Sequence, residues 1–167
     1  SIYDGNSLFD SSNHDNDLGS GKAFGQANLE ALAKKIIDNT DEAGNPVELG
    51  LGGVIHHSDE RFTVQKILKL QREDSDIFHP SVWGIPENRL AGVESNYVTT
   101  SRWYIFANTA DIDLFELGFL NGQTEPEVWW ESPNTGRGLM YDEIVTKCRL
   151  VFGGAWLNYR GIARANV

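Results

Sequence analysis

The chain predicts an α+β fold, and three observations carry this. Two amphipathic helical stripes, separated by one strand, occupy the first part of the chain. After Asn88 the pattern changes to period two, rich in β-branched and aromatic residues. There is no internal repeat and no regular strand–helix alternation of the kind a doubly wound sheet requires.

The elements follow in order. Asp4–Gly25 is rich in Asp, Asn, Ser and Gly, which favour turns, and reads as a loop with little regular structure. The spacing then predicts a helix with Asn28 as N-cap and Glu30 in its first turn. Leu29, Leu32, Ala33 and Ile36 form its apolar stripe, and Asn39–Pro46 ends it. Val47–Ile55 alternates as a strand with a break at Gly52-Gly53. Ser58 caps a second, short helix carrying Val64, Ile67, Leu68 and Gln71 and ending near Leu70. Arg72–Pro86, with Pro80, Gly84 and Pro86, is a long connection. Strands are predicted at Leu90–Glu94, Trp103–Ala107, Leu114–Leu120, Glu127–Glu131, Glu143–Phe152 and Ala155–Arg160. An Asn121-Gly122 turn and a break at Gly153-Gly154 punctuate them.

Composition bounds the function. The 167 residues carry 14 Lys+Arg against 24 Asp+Glu, a net charge of −10. Hydrophobic residues make up 40%, the balance of a folded domain and not of a disordered chain. A chain of this size buries roughly 68–70% of its unfolded surface and needs no staples. The single cysteine, Cys148, excludes an intrachain disulfide. No run approaches the ~18–20 apolar residues of a membrane span. The acidic balance argues against tight, sequence-independent nucleic-acid binding, which needs clustered Lys and Arg. The charge is uneven: residues 1–60 hold 11 acids and 3 bases, residues 142–167 hold 2 acids and 4 bases. Ser1-Ile2-Tyr3, with no Met and no signal-like region, reads as the start of a processed product or an excised piece.

No catalytic, cofactor or metal residue is assigned. His56 and His57 are neighbours on an extended segment and point to opposite faces, so a third ligand from Asp59 or His79 has no zinc-type spacing to join. Cys148 sits within a predicted strand, in Val145-Thr146-Lys147-Cys148-Arg149; a nucleophile needs a base and an electropositive, accessible setting, and a lone buried cysteine is expected instead. The acid pairs Asp111 with Asp113, Glu125 with Glu127 and Asp142 with Glu143 fit turns and strand faces. Gly50-Leu51-Gly52-Gly53 lacks the Lys-Ser/Thr of a phosphate loop. Trp129 and Trp130 face opposite sides of a strand, one expected in the core and one at an edge or subunit contact. The residues read as a structural or interaction protein and not an enzyme. Two other readings stay open: a carbohydrate-binding module stacking sugars on Trp129, Trp130 or Trp83, and a hydrolase using an acid pair or His56 with Cys148.

Several segments, in order, resemble the C-terminal half of a tailed-phage major capsid protein, closest to the Mu-like major head subunits. They are Leu8-Phe9-Asp10-Ser11-Ser12-Asn13-His14 with Asn16-Asp17-Leu18-Gly19-Ser20-Gly21, then Asn28–Leu32, Trp103–Asn108, Phe115–Pro126 and Val151–Gly161. Val151, Asn108 and Asn158 stand where the family has acids, and His56-His57 stands where it has a Pro-containing helix start.

The resemblance implies the Hong Kong 97-type capsid fold. This chain would be its axial domain plus the C-terminal strands of the peripheral domain, lacking the N-terminal arm, extended loop and spine helix. Residues 1–167 would form one α+β domain, about 1–140 mainly axial and about 141–167 peripheral. The implied function is self-association into pentamers and hexamers that close an icosahedral shell around DNA, without tight DNA binding or a membrane. The implied partners are other copies, a scaffolding protein, a prohead protease and a portal. The implied place is the virion capsid, assembled in the bacterial host cytoplasm. Asp4–Gly25 and Arg72–Pro86 would be loops at the symmetry axes. No cofactor is implied.

Overall fold

The structure, a computed structural model, describes residues 2–69, 90–131, 136–141 and 143–167. It divides into two compact units, Ser1–Leu114 with Trp156–Val167, and Phe115–Ala155. Among the described residues no helix is long and apolar enough to cross a membrane. The expected Arg72–Pro86 connection, with Trp83 and His79, lies outside the described residues.

The first unit is built on a four-stranded sheet. Its strands are β1 (Leu51–His56), β2 (Ala91–Glu94), β3 (Arg102–Ala107) and β8 (Ile162–Asn166), in the order β2-β1-β3-β8. The β1–β2 pair is parallel, and the β1–β3 and β3–β8 pairs are antiparallel. Helix α1 (Gln26–Ile37) packs on β8, β3 and β1. Leu29, Leu32, Ala33 and Ile36 are all buried, as their spacing predicts. They meet Val54, Trp103, Ile105, Ala107, Ala163 and Ala165, the inward residues of the sheet. Phe24 sets its ring edge-on to Trp103 at 5.0 Å, and the Trp103 indole N–H donates to the Lys22 carbonyl at 2.9 Å. Helix α2 (Arg61–Lys69), entered through a short 3₁₀ turn at Ser58–Glu60, adds Val64 and Leu68 to the core.

Several expectations shift. Helix α1 begins at Gln26, with Gly25 at the N-cap. The Asn28 side chain donates back to the Ala23 carbonyl at 2.8 Å, and Glu30 falls beyond the first turn. His57, not Ser58, caps the 3₁₀ turn by accepting from the Asp59 N–H. Gly52-Gly53 does not break β1. It forms a bulge against β3, where a Cβ on Gly52 would meet the Ala107 carbonyl oxygen at 2.7 Å and one on Gly53 the Ala91 carbonyl oxygen at 2.4 Å. The last strand is Ile162–Asn166 and not Ala155–Arg160. The chain turns at Asn158, whose Oδ1 accepts from the Arg160 N–H at 3.0 Å, and Gly161 then passes close against Leu114 and Ile112.

The second unit holds β4 (Phe115–Phe119), β5 (Glu127–Trp130), α3 (Gly136–Tyr141), β6 (Thr146–Arg149) and most of β7 (Phe152–Trp156). Two two-stranded ribbons result, β4 with β7 and β5 with β6. Asn121 and Gly122 do form a turn with positive φ, 56° and 71°, but the strands it joins belong to different ribbons. The expected long strand Glu143–Phe152 is cut at Leu150–Val151 into β6 and β7. Gly153-Gly154 lies inside β7, with the Phe115 ring over Gly154. Helix α3 was not expected.

Candidate functional site

Two features stand out, one in each unit. The first is the polar stretch 4–22, which forms an ordered strap along the outer edge of β8. Asn16 and Gly19 accept through their carbonyls from the Arg164 and Asn166 N–H groups, and Leu18 and Lys22 donate to the Arg164 and Asn166 carbonyls. Asp17 pairs with Arg164 and accepts from Asn166. These contacts occupy the edge of β8, which would otherwise stand open.

Two polar side chains of the strap are buried. The Asn16 side-chain amide donates to the carbonyls of Leu8 (2.8 Å), Tyr159 (3.3 Å) and Ile162 (3.2 Å), and its oxygen accepts from the Asp10 N–H (3.0 Å). His14 stacks on Tyr159 with ring centroids 3.9 Å apart and planes 12° apart. Its Nε2 lies 2.6 Å from Asp4 Oδ2. The strap and the Tyr159 turn, far apart in the chain, therefore meet here. The His14 hydrogen bond holds the Asp4 carboxyl down to about 2. The Asn13 and Ser12 backbone N–H groups lower Asp10, and the Asn45 side chain and backbone lower Asp41. The strap's order was missed because a run of Asp, Asn, Ser and Gly also describes solvated turns. The left-handed Gly19 and Gly21, which steer the chain along β8, were the available signal.

The second feature is apolar. Within Phe115–Ala155 no described residue is buried. Phe115, Leu117 and Phe119 share one face of the β4–β7 ribbon with Phe152, and the Phe119 and Phe152 rings are 6.3 Å apart. Leu117 is 53% and Phe152 62% exposed. On β5–β6, Val128 stands opposite Cys148 and Trp130 opposite Thr146 on one face. Trp130 is 71% exposed there. Trp129 takes the other face, with Lys147 Nζ and the Arg149 guanidinium each 5.6 Å from its ring centroid. Both indoles are exposed, so neither fills a core as expected. Two-stranded ribbons this short do not stand alone in water, because they have nothing to bury their apolar face against.

The remaining sequence candidates among the described residues lie apart from one another. His56 is buried and its Nδ1 lies 2.8 Å from the His57 carbonyl, while His57 pairs with Asp59 at 3.3 Å. Among the described residues no three His, Cys, Asp or Glu side chains group to hold a metal. Cys148 is exposed on β6 and not buried as expected, and it belongs to a different unit from His56. Asp111 accepts from the Gly50 N–H at 2.9 Å and pins the entry to β1. Glu127 pairs with Arg149 across β5–β6, and Glu143 with Arg137. Asp142 lies outside the described residues.

A family model described as phage capsid protein matches residues 3–165. No curated protein matches the chain.

Proposed function

The chain belongs to the phage capsid protein family, and from that premise we propose that it is a major head subunit of a tailed phage or prophage, closing an icosahedral shell by repeated contact between copies. The family places it among the structural proteins of the virion. The finer reading adds the Hong Kong 97-type fold, a Mu-like subtype and assembly through pentamers and hexamers in the host cytoplasm, with a scaffolding protein, a prohead protease and a portal as partners. In this reading the chain is one capsid-type α+β domain, mostly the axial domain. Residues up to about 140 are mainly this domain, and about 141–167 are peripheral-domain strands.

The observation that carries the proposal is the second unit's composition against its burial. It presents Leu117, Trp130, Met140, Ile144 and Phe152 at 53–79% exposure and buries nothing among its described residues. Clustered apolar surface of this kind marks a protein–protein contact. Repeated heterologous contacts around a rotation axis cover such surface in a closed shell. The −10 charge fits a wall that encloses DNA without gripping it.

Quantitative mass spectrometry of purified heads from the phage or prophage encoding the chain tests this. Peptides of residues 3–165 are expected as the dominant head protein. Their absence, or a trace level, would reject the major-subunit reading.

A further inference from the structure

The strap carries a histidine whose two ring nitrogens both face oxygen. His14 Nε2 lies 2.6 Å from Asp4 Oδ2 and Nδ1 lies 3.2 Å from the Leu8 carbonyl oxygen. A carbonyl oxygen accepts only, and so does an ionised carboxylate. Neutral imidazole owns one N–H, so a neutral ring would set one nitrogen lone pair against an oxygen lone pair. Imidazolium donates at both ends. The ring is 5% exposed and stacked on Tyr159, so water cannot replace either partner without the ring moving.

From this geometry we propose that His14 is a proton-dependent latch, holding residues 2–15 against the Tyr159 turn while both ring nitrogens carry protons and letting them go when one proton leaves. Asp4 of the strap faces the ring directly, and Asp10 lies in the same strap. Asp15, also of the strap, is engaged by Lys35 of α1. Lys34 and Asp38 of α1, and Asp41 and Glu42 after it, line the cavity of about 410 Å³ that His14 also borders. Arg160, from the turn, stands 4.8 Å from the Tyr159 ring centroid. Asn16 and Asp17, bound to Ile162, Arg164 and Asn166, mark where the release stops. The latch is closed while the ring is an imidazolium that donates at both nitrogens, and open when it is neutral.

Amide hydrogen exchange on the full chain, at about pH 5.5 and about pH 8 and corrected for intrinsic rates, reads the latch. Protection at Gly5, Asn6 and Asn13, measured against β3 amides, is expected to fall across that interval, by up to roughly tenfold for each pH unit over which the closed state holds one proton more than the open one. In the same samples, ring ¹H–¹⁵N correlations should show two protonated nitrogens on His14 at the lower pH and one bare nitrogen at the higher. His14→Gln should abolish the pH dependence of the strap. Should that variant not fold, the wild-type ring and exchange data still decide. Equal strap protection at both pH values, or a bare ring nitrogen while the strap stays protected, would overturn the latch.

Discussion

The buried side-chain amide of Asn16 donates to the Ile162 carbonyl at 3.2 Å, joining residues 146 positions apart. The same amide reaches Leu8 and Tyr159, so one side chain ties the strap, the turn before β8 and the start of β8. Asn16→Ala leaves buried carbonyls without a donor and is expected to cost about 1–3 kcal/mol. Asn16→Asp should cost at least as much, because a carboxylate has nothing to donate. Urea unfolding followed by circular dichroism measures both. A loss below about 0.5 kcal/mol, the range of ordinary surface changes, would mean that the amide does not hold the strap.

Glycine pairs that look alike in sequence should respond differently. Gly53→Ala drives a methyl to 2.4 Å from the Ala91 carbonyl oxygen and 2.8 Å from the Phe106 ring. Backbone must shift, and a loss of about 1–3 kcal/mol is expected. At Gly153 nothing lies within 4 Å of the added carbon, and Gly153→Ala should be within about 0.5 kcal/mol of wild type. Thermal unfolding of the two variants side by side decides whether the β1 bulge is sterically required.

Strong acid should loosen the strap through its carboxyls, the opposite limb from the histidine. The Asp4 carboxyl is lowered to about 2, chiefly by His14, and Asp10 is lowered by the N–H groups of Asn13 and Ser12. A lowered carboxyl contributes stability that is full above the ordinary range near 3.8 and is lost as pH falls toward the folded value. Acid titration followed by near-ultraviolet circular dichroism should therefore show a transition between about pH 4 and pH 2. Asp4→Asn should flatten it. An unchanged acid limb in that variant would show that Asp4 is not linked to folding.

Charge on the ribbon face separates folding from association. Leu117 is 53% exposed, so Leu117→Asp should leave the unfolding midpoint within about 0.5 kcal/mol of wild type. The same change puts a carboxylate into any contact that covers the face. Self-association by sedimentation velocity is expected to weaken by about tenfold or more, because an unpaired buried charge is costly to desolvate. Association equal to wild type would place the contact elsewhere.

Helix α1 and strand β3 were legible locally. The 29/32/33/36 stripe and the run Trp103–Ala107 carry their own periodicity, and the structure buries them where that periodicity directs. The division into two units was not legible, because apolar residues in 115–155 alternate as they would in a core strand. Alternation reports which residues share a face, not whether anything covers that face. The latch was invisible for a related reason. His14 appeared as one polar residue among many, and its character depends on Asp4, Leu8 and Tyr159 converging on one ring.

The sequence by itself determined the α+β class, the first helix with its buried stripe and the central strand. Each of these rests on neighbours within a few residues, where backbone geometry converts spacing directly into a face. Only the tertiary structure decided that the polar stretch 4–22 is an ordered edge of the sheet, that β8 is Ile162–Asn166, and that residues 115–155 bury no described side chain. Those outcomes depend on hydrogen bonds and packing between segments more than a hundred residues apart. A turn-rich composition or an alternating strand is compatible with either burial or exposure until its distant partner is in place.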